Sequence, residues 1–335
     1  MRCLCLLGLL FMLSPAPGYA QSGREPLDSA NWLLSYIDAR DQQLLIRSET
    51  VSIPFRYPNR PTLDIRIGDA EYAFLLDSGT RLSILNLLES DPKPAGLHFT
   101  GHDSYLADLD GQRELIFGDH ALRYAEAELL SSGEMRIRHL PLRTYVYEER
   151  LPGSDFQGSL ALQALRDCVV EVSNDELELR LHPRQGYQAP SGWRAVPLLQ
   201  LHDKLLIRAG AGQGQPLLLM LDTGYSGELM LSADCCSRLG TALEASGRQL
   251  DAFTGFHGKL SGDELLLEQF TLEGQDWPAM AREGFSYGML SVLGLEGNLE
   301  QSPLGELDGI LGSGFLSRFN YAVDLSRSVL YMQER

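Results

Sequence analysis

From residue 51 to the C-terminus the hydrophobic positions fall in short runs of strand length, broken by Gly, Pro and Asp. That spacing predicts β-strands. Residues 63–67 and 72–76 flank Gly68-Asp69 and read as a hairpin; a second pair of runs flanks residues 210–215, with a turn three residues longer. Before residue 51 the pattern changes. Trp32, Leu33, Tyr36, Ile37, Leu44 and Leu45 recur close to a helical spacing behind the cap Asp28-Ser29, which predicts a helix over residues 26–47. Residues 4–13 are an apolar block between Arg2 and Gly18-Tyr19-Ala20, the layout of a secretory leader cleaved before Gln21. Ten apolar residues are too few to cross a bilayer, and no later run is long enough, so stable membrane insertion is not expected.

One stretch occurs twice. Phe74-Leu75-Leu76-Asp77-Ser78-Gly79-Thr80 is matched by Leu219-Met220-Leu221-Asp222-Thr223-Gly224-Tyr225, and the two aspartates lie 145 positions apart. The context repeats as well. Ile65-Arg66-Ile67-Gly68 precedes the first copy and Ile207-Arg208-Ala209-Gly210 the second. Gln157-Gly158-Ser159-Leu160 follows the first, before a short helical run and Val170-Glu171-Val172. Asp308-Gly309-Ile310-Leu311-Gly312 follows the second, before Phe315-Leu316 and Val323-Asp324-Leu325. A chance Asp-Ser/Thr-Gly tripeptide would not carry this matched order, so the chain contains an internal duplication. It divides into a leader (1–20), an N-terminal helical segment (21–49), a first lobe (50–183), a turn-rich linker (184–192) and a second lobe (193–335).

Charge narrows the partners. Without the leader, 27 Lys and Arg stand against 45 Asp and Glu, a net charge near −18. Such a surface repels nucleic acid and anionic membrane. Apolar residues make up 44% of the sequence, enough for two cores. Three cysteines remain beyond the leader: Cys168, Cys235 and Cys236. Adjacent cysteines rarely pair with each other, so either Cys168 bonds one of them or all three are buried thiols with a structural role. The seven histidines are scattered with no zinc-ligand spacing, and neither a phosphate-cradling glycine loop nor a Gly-x-Ser-x-Gly elbow occurs. No metal or cofactor is called for.

The paired hydrophobic-hydrophobic-Asp-Ser/Thr-Gly motifs and the segment 308–312 resemble the aspartic proteases of the pepsin and retropepsin group, over residues 50 to 335. The resemblance implies a mostly β fold: two retropepsin-like β-barrel lobes in a pepsin-like pseudo-two-fold arrangement, preceded by the N-terminal helix. It implies an aspartic endopeptidase whose interlobe cleft takes an extended polypeptide; the leader adds that the protein is expected to be exported, periplasmic or secreted. Both motifs are in one chain, so a monomer is expected. Prosegments of this group tend to be basic and residues 21–49 are not, which favours a helix packed on the first lobe over a removable cover.

In the implied chemistry Asp77 and Asp222 share one proton. The ionised carboxyl takes a proton from a trapped water while the protonated one polarises the peptide carbonyl. Gly79 and Gly224 allow the sharp turn, and Ser78 and Thr223 are expected to bond across the lobes. Thr80 follows the first motif, while Ser226 holds the position from which the group's serine bonds the outer carboxylate oxygen. Arg81 stands at that position in the first repeat, either beside the carboxyls or turned to solvent. A covering flap is expected at residues 253–258, with Phe256, His257 and Gly258 at its tip, and at residues 105–111 in the first lobe. Arg81 and the diverged Ser159-Leu160-Ala161 support a second reading, a catalytically impaired peptide-binding or regulatory protein on the same scaffold.

Overall fold

The protein is described from a computed structural model. The described residues are 42–46, 49–99, 121–147, 155–201, 204–212, 214–253, 259–267, 269–272, 275–276, 287–289 and 307–335. The leader, most of the expected helix and the tips of both expected flaps lie outside them.

In the first half the strands are β1 (Gln43–Leu45), β2 (Val51–Pro54), β3 (Thr62–Ile67), β4 (Ala70–Asp77), β5 (Ser83–Leu88), β6 (Leu97–Phe99), β7 (Ala121–Ser132), β8 (Met135–Tyr147), β9 (Gly158–Ala161), β10 (Cys168–Ser173) and β11 (Glu178–Pro183). Six of them close a barrel in the order β8-β5-β9-β4-β3-β7, with β7 returning to β8. The alternation along β3 explains its place: Leu63, Ile65 and Ile67 point into the core, while Asp64 and Arg66 point out. β4, an interior strand between β3 and β9, instead buries Phe74, Leu75 and Leu76 in succession, so both of its faces are covered there. Each such side chain contributes roughly 1.5–3 kcal/mol on burial, so the strand ending at Asp77 is firmly fixed. The β3–β4 turn is the hairpin expected at Gly68-Asp69. Gly68 takes φ +59, and a Cβ there would run into the Ala95 carbonyl.

The tail of the expected helix is corrected by the structure. Gln43–Leu45 is a strand, paired antiparallel with β8 from Gln43↔Arg138 to Leu45↔Arg136. The open edge of β8 offers unpaired backbone groups, and pairing with them outweighs a weak helical spacing.

The second half holds β12 (Arg194–Leu201), β13 (Lys204–Ala211), β14 (Gln215–Asp222), β15 (Leu229–Leu231), helix α1 (Ala233–Leu239), β16 (Leu243–Phe253), β17 (Lys259–Leu267), β18 (Phe270–Leu272), β19 (Gln275–Asp276), β20 (Tyr287–Met289), β21 (Gly309–Gly312), the single turn α2 (Ser313–Leu316), β22 (Phe319–Asp324) and β23 (Val329–Glu334). Its central strands run β13-β14-β21-β15-β20-β17-β16. Among the described residues this sheet does not return on itself, so the second closed barrel expected from the repeat is not present there; one barrel is. Of residues 277–306, where the first half's pattern would supply further strands, only Tyr287–Met289 is described.

The halves are joined by an antiparallel sheet in the order β2-β11-β10-β22-β23-β12, three strands from each. Its centre is the β10–β22 ladder, Val169↔Asp324 to Val172↔Tyr321. Residues 184–192 link β11 to β12. Cys168, Cys235 and Cys236 are free thiols, so among the described residues no disulfide ties the halves. Burial pushes the Cys168 and Cys235 thiols up to about 12 and that of Cys236 to about 11, so all three stay protonated and unreactive at neutral pH. Among the described residues no helix is long and apolar enough to cross a membrane.

Candidate active site

The two motifs end equivalent strands. Asp77 closes β4 beside the parallel strand β9, and Asp222 closes β14 beside the parallel strand β21. The residue before each flanking strand secures this geometry in the same way. The Gln157 side chain accepts the Ala73 N–H at 2.7 Å, and Asp308 accepts the Leu218 N–H at 2.7 Å. In return Gln157 N donates to the Ala73 carbonyl at 2.8 Å and Asp308 N to the Leu218 carbonyl at 2.9 Å. The sequence repeat is therefore also a repeat of hydrogen bonds.

Past each aspartate the chain turns back on the carboxylate. Gly79 N and Thr80 N donate to Asp77 Oδ1 at 2.8 and 3.1 Å, and Gly224 N donates to Asp222 Oδ1 at 2.8 Å. The neighbouring residues then lock one loop to the other. Ser78 N donates to Thr223 Oγ1 at 2.9 Å while Thr223 N donates to Ser78 Oγ at 3.0 Å. Each hydroxyl passes its own proton to a strand carbonyl across the junction: Ser78 to Leu221 and Thr223 to Leu76, both at 2.8 Å. Ser78 and Thr223 are buried, so every one of these groups would be orphaned without its partner.

This lock brings the carboxyls together. A Cβ on Gly79 would stand 2.5 Å from Asp222 Cγ, and one on Gly224 would stand 2.8 Å from Asp77 Cγ. Only glycine lets each loop lie flat against the other repeat's carboxyl. Burial, then the charge of Asp222, pushes the Asp77 carboxyl up to about 7, against pulls from Lys204, the Gly79 N–H and Ser159. Burial also raises Asp222, opposed by the Gly224 N–H and Lys204. Two close, desolvated carboxyls cannot both ionise easily, so the pair retains a proton well above the ordinary carboxylate range.

Around this centre some sequence expectations change. Ser226 is partly buried but makes no hydrogen bond to Asp222, whose ligands are backbone N–H groups. The Gly312–Gly314 segment packs against that loop instead: Ser313 donates to the carbonyls of Tyr225 at 2.8 Å and Asn59 at 2.6 Å. Thr80 Oγ1 donates to the Leu82 carbonyl at 2.9 Å, bracing its own loop. Arg81 is partly buried on the same loop, yet the cation acting on both carboxyls is Lys204 at the start of β13. Its ammonium donates to the Gly79 carbonyl. Ser159, on β9, turns a buried hydroxyl toward Asp77, though short of full hydrogen-bond geometry. Neither residue was singled out from the sequence as a neighbour of the carboxyls, although the β13–β14 register would have pointed to Lys204. Phe256, His257 and Gly258 lie outside the described residues; the strands on either side, β16 and β17, form an antiparallel hairpin. Among the described residues no group of three or more His, Cys, Asp or Glu side chains is placed to hold a metal.

No family model matches the chain, and no curated protein does. Among solved structures, the chain is similar to the aspartic proteinase from Irpex lacteus, with a TM-score of 0.52 and 13% identity, over 85% of this chain and 97% of that one. At that identity the likeness defines the fold alone. The chain has an aspartic-proteinase-like fold.

Proposed function

We propose that this chain is an exported aspartic-type endopeptidase, with two lobes related in the pepsin manner and Asp77 and Asp222 as its catalytic pair. The observation that carries this reading is the mutual packing of Gly79 on the Asp222 carboxyl and Gly224 on that of Asp77. That arrangement suits a water molecule held between one ionised and one protonated carboxyl. The ionised partner takes the water's proton as the oxygen attacks the peptide carbonyl, and the protonated partner donates to the developing oxyanion. Ser78 and Thr223 keep the two loops in register, which keeps the carboxyls close enough to share the proton. The substrate would be an extended polypeptide bound between the lobes and covered by the hairpin of β16 and β17. The leader at 1–20 would deliver the enzyme to the periplasm or the medium.

A second reading, a peptide-binding protein without turnover, is favoured by Lys204. A cation at the pair lowers both carboxyls, and if both ionise, no shared proton remains. One experiment separates the two. The mature protein is incubated with a diverse pool of unfolded peptides from acid to neutral pH, alongside Asp77→Asn, Asp222→Asn and a pepstatin-type transition-state mimic. The endopeptidase reading expects cleavage through the acid range that declines as pH rises past about 7. Either single substitution, or the mimic, should abolish it. Peptide retention without cleavage at any pH would leave the binding reading in its place.

A further inference from the structure

We propose that Lys204 is a positioning residue for the paired aspartates: its ammonium holds the Gly79 carbonyl and sets a fixed positive charge beside both carboxyls. The inference rests on reading Asp77 and Asp222 as a working pair, and it adds a component that the motifs do not contain.

The hairpin registers show why a cation stands there. The ladders begin at Thr62↔Leu75 in the first repeat and Leu206↔Met220 in the second. Beyond those ends the count of residues brings Arg60, in the turn before β3, level with Asp77, and Lys204, at the start of β13, level with Asp222. Counting along the ladders thus brings a cation level with each aspartate, and the two meet different fates. Arg60 is drawn away: its guanidinium pairs with Asp155 at 2.8 Å and lies 5.9 Å from the ring centroids of both Tyr57 and Phe156. Lys204 turns inward and crosses to the first motif, where it donates to the Gly79 carbonyl. Gly79 is the residue whose N–H binds Asp77 and whose Cα packs on Asp222. The carbonyl shares its peptide unit with the Thr80 N–H, which also donates to Asp77, so a bond to it orients a donor of Asp77 and braces the Cα that lies against Asp222.

Other groups facing the pair do not duplicate this role. Tyr225, beside Asp222, is a phenol that burial and then the Asp222 charge push up to about 12, so it remains neutral. Glu228 is engaged by Arg318. Ser159 and the amides of Gly79, Thr80 and Gly224 are uncharged donors. Arg81 is a second cation on the first loop, two residues beyond Gly79. A positive charge favours the ionised form of its neighbours. Lys204 accordingly draws both titration steps of the pair toward acid, and with them the pH window in which one proton is shared.

The test compares the mature full-length protein with Lys204→Met, Lys204→Gln and Lys204→Arg. The carboxyl carbons of Asp77 and Asp222 are followed by NMR across the acid and neutral range, and peptide cleavage is profiled over the same range. Thermal unfolding is recorded to establish that each variant is folded. Met removes both the charge and the bond to Gly79; Gln loses the charge and keeps a donor on a side chain one bond shorter; Arg keeps a charge and a donor. The titration of the pair should move to higher pH by on the order of one unit in Lys204→Met and Lys204→Gln, and stay near wild type in Lys204→Arg. The cleavage profile should shift with it. An unmoved titration in folded Met and Gln variants overturns the proposal even if all four proteins cleave peptides. A shifted titration with no cleavage by any of them upholds the role of Lys204 and overturns the endopeptidase reading instead.

Discussion

Ser78 and Thr223 show how much a single side chain decides here. Each accepts a backbone N–H from the opposite loop and donates to a carbonyl of the opposite strand. Thr223→Val keeps the shape but orphans the Ser78 N–H and the Leu76 carbonyl, and a buried polar group left unpaired costs roughly 1–3 kcal/mol. Urea unfolding should therefore show a loss of that size for Thr223→Val, and a similar one for Ser78→Ala. Because both act in one network, the double variant should lose clearly less than the two single losses added together. Strict additivity would mean that the two loops are held independently. At this scale the motif residues were legible in the sequence, since a glycine after Asp-Ser/Thr has few other uses twice in one chain. Lys204 was not, because it lies outside the motifs and its role depends on which way a long side chain turns.

Among the elements, the joining sheet carries a buried ionic centre. Glu171 on β10 accepts from Arg180 Nη1 at 3.0 Å and pairs with His182 Nε2 at 2.8 Å, both on β11. His182 also packs its ring at 5.0 Å from that of Tyr187, just beyond the strand. Burial alone would raise the Glu171 carboxyl, but His182 and then Arg180 hold it below its ordinary value of 4.5. A depressed carboxyl contributes stability that is present above its unfolded value and lost as pH falls through the folded one. Glu171→Gln should destabilise the protein at neutral pH, by roughly 1–3 kcal/mol, and should weaken the acid dependence of its unfolding below the ordinary carboxylate range. Urea midpoints at neutral and acid pH measure both. The hairpins around both motifs were readable from alternation and turn residues. The strand Gln43–Leu45 was not, because the edge of β8 that captures it is built from residues some ninety positions later.

For the molecule as a whole, the paired carboxyls store an instability that grows with pH. Asp77 has its carboxyl raised to about 7 against an ordinary value of 3.8. Between those values the folded state holds a proton that the unfolded chain has released. Its stabilising contribution is complete below the unfolded value and is lost as pH rises through the folded one. Unfolding midpoints measured from about pH 4 to about pH 8 should fall with rising pH through this contribution, and Asp222→Asn should flatten the fall by removing the like charge. A wild-type curve that the substitution leaves unaltered would show that the carboxyls do not share a proton.

The sequence by itself determined that the chain is β-rich, that it is built from a repeat, and that Asp77 and Asp222 end equivalent strands. Those features are local: alternation, turn glycines and a motif with its own backbone hydrogen bonds are written in consecutive residues. The tertiary structure alone decided that each aspartate faces the other's glycine, that Lys204 rather than Arg60 turns toward them, and that the first half closes as a barrel while the described part of the second does not. These depend on contacts between residues more than a hundred positions apart, or on which strand edge finds a partner. Nothing in a single stretch of sequence specifies either.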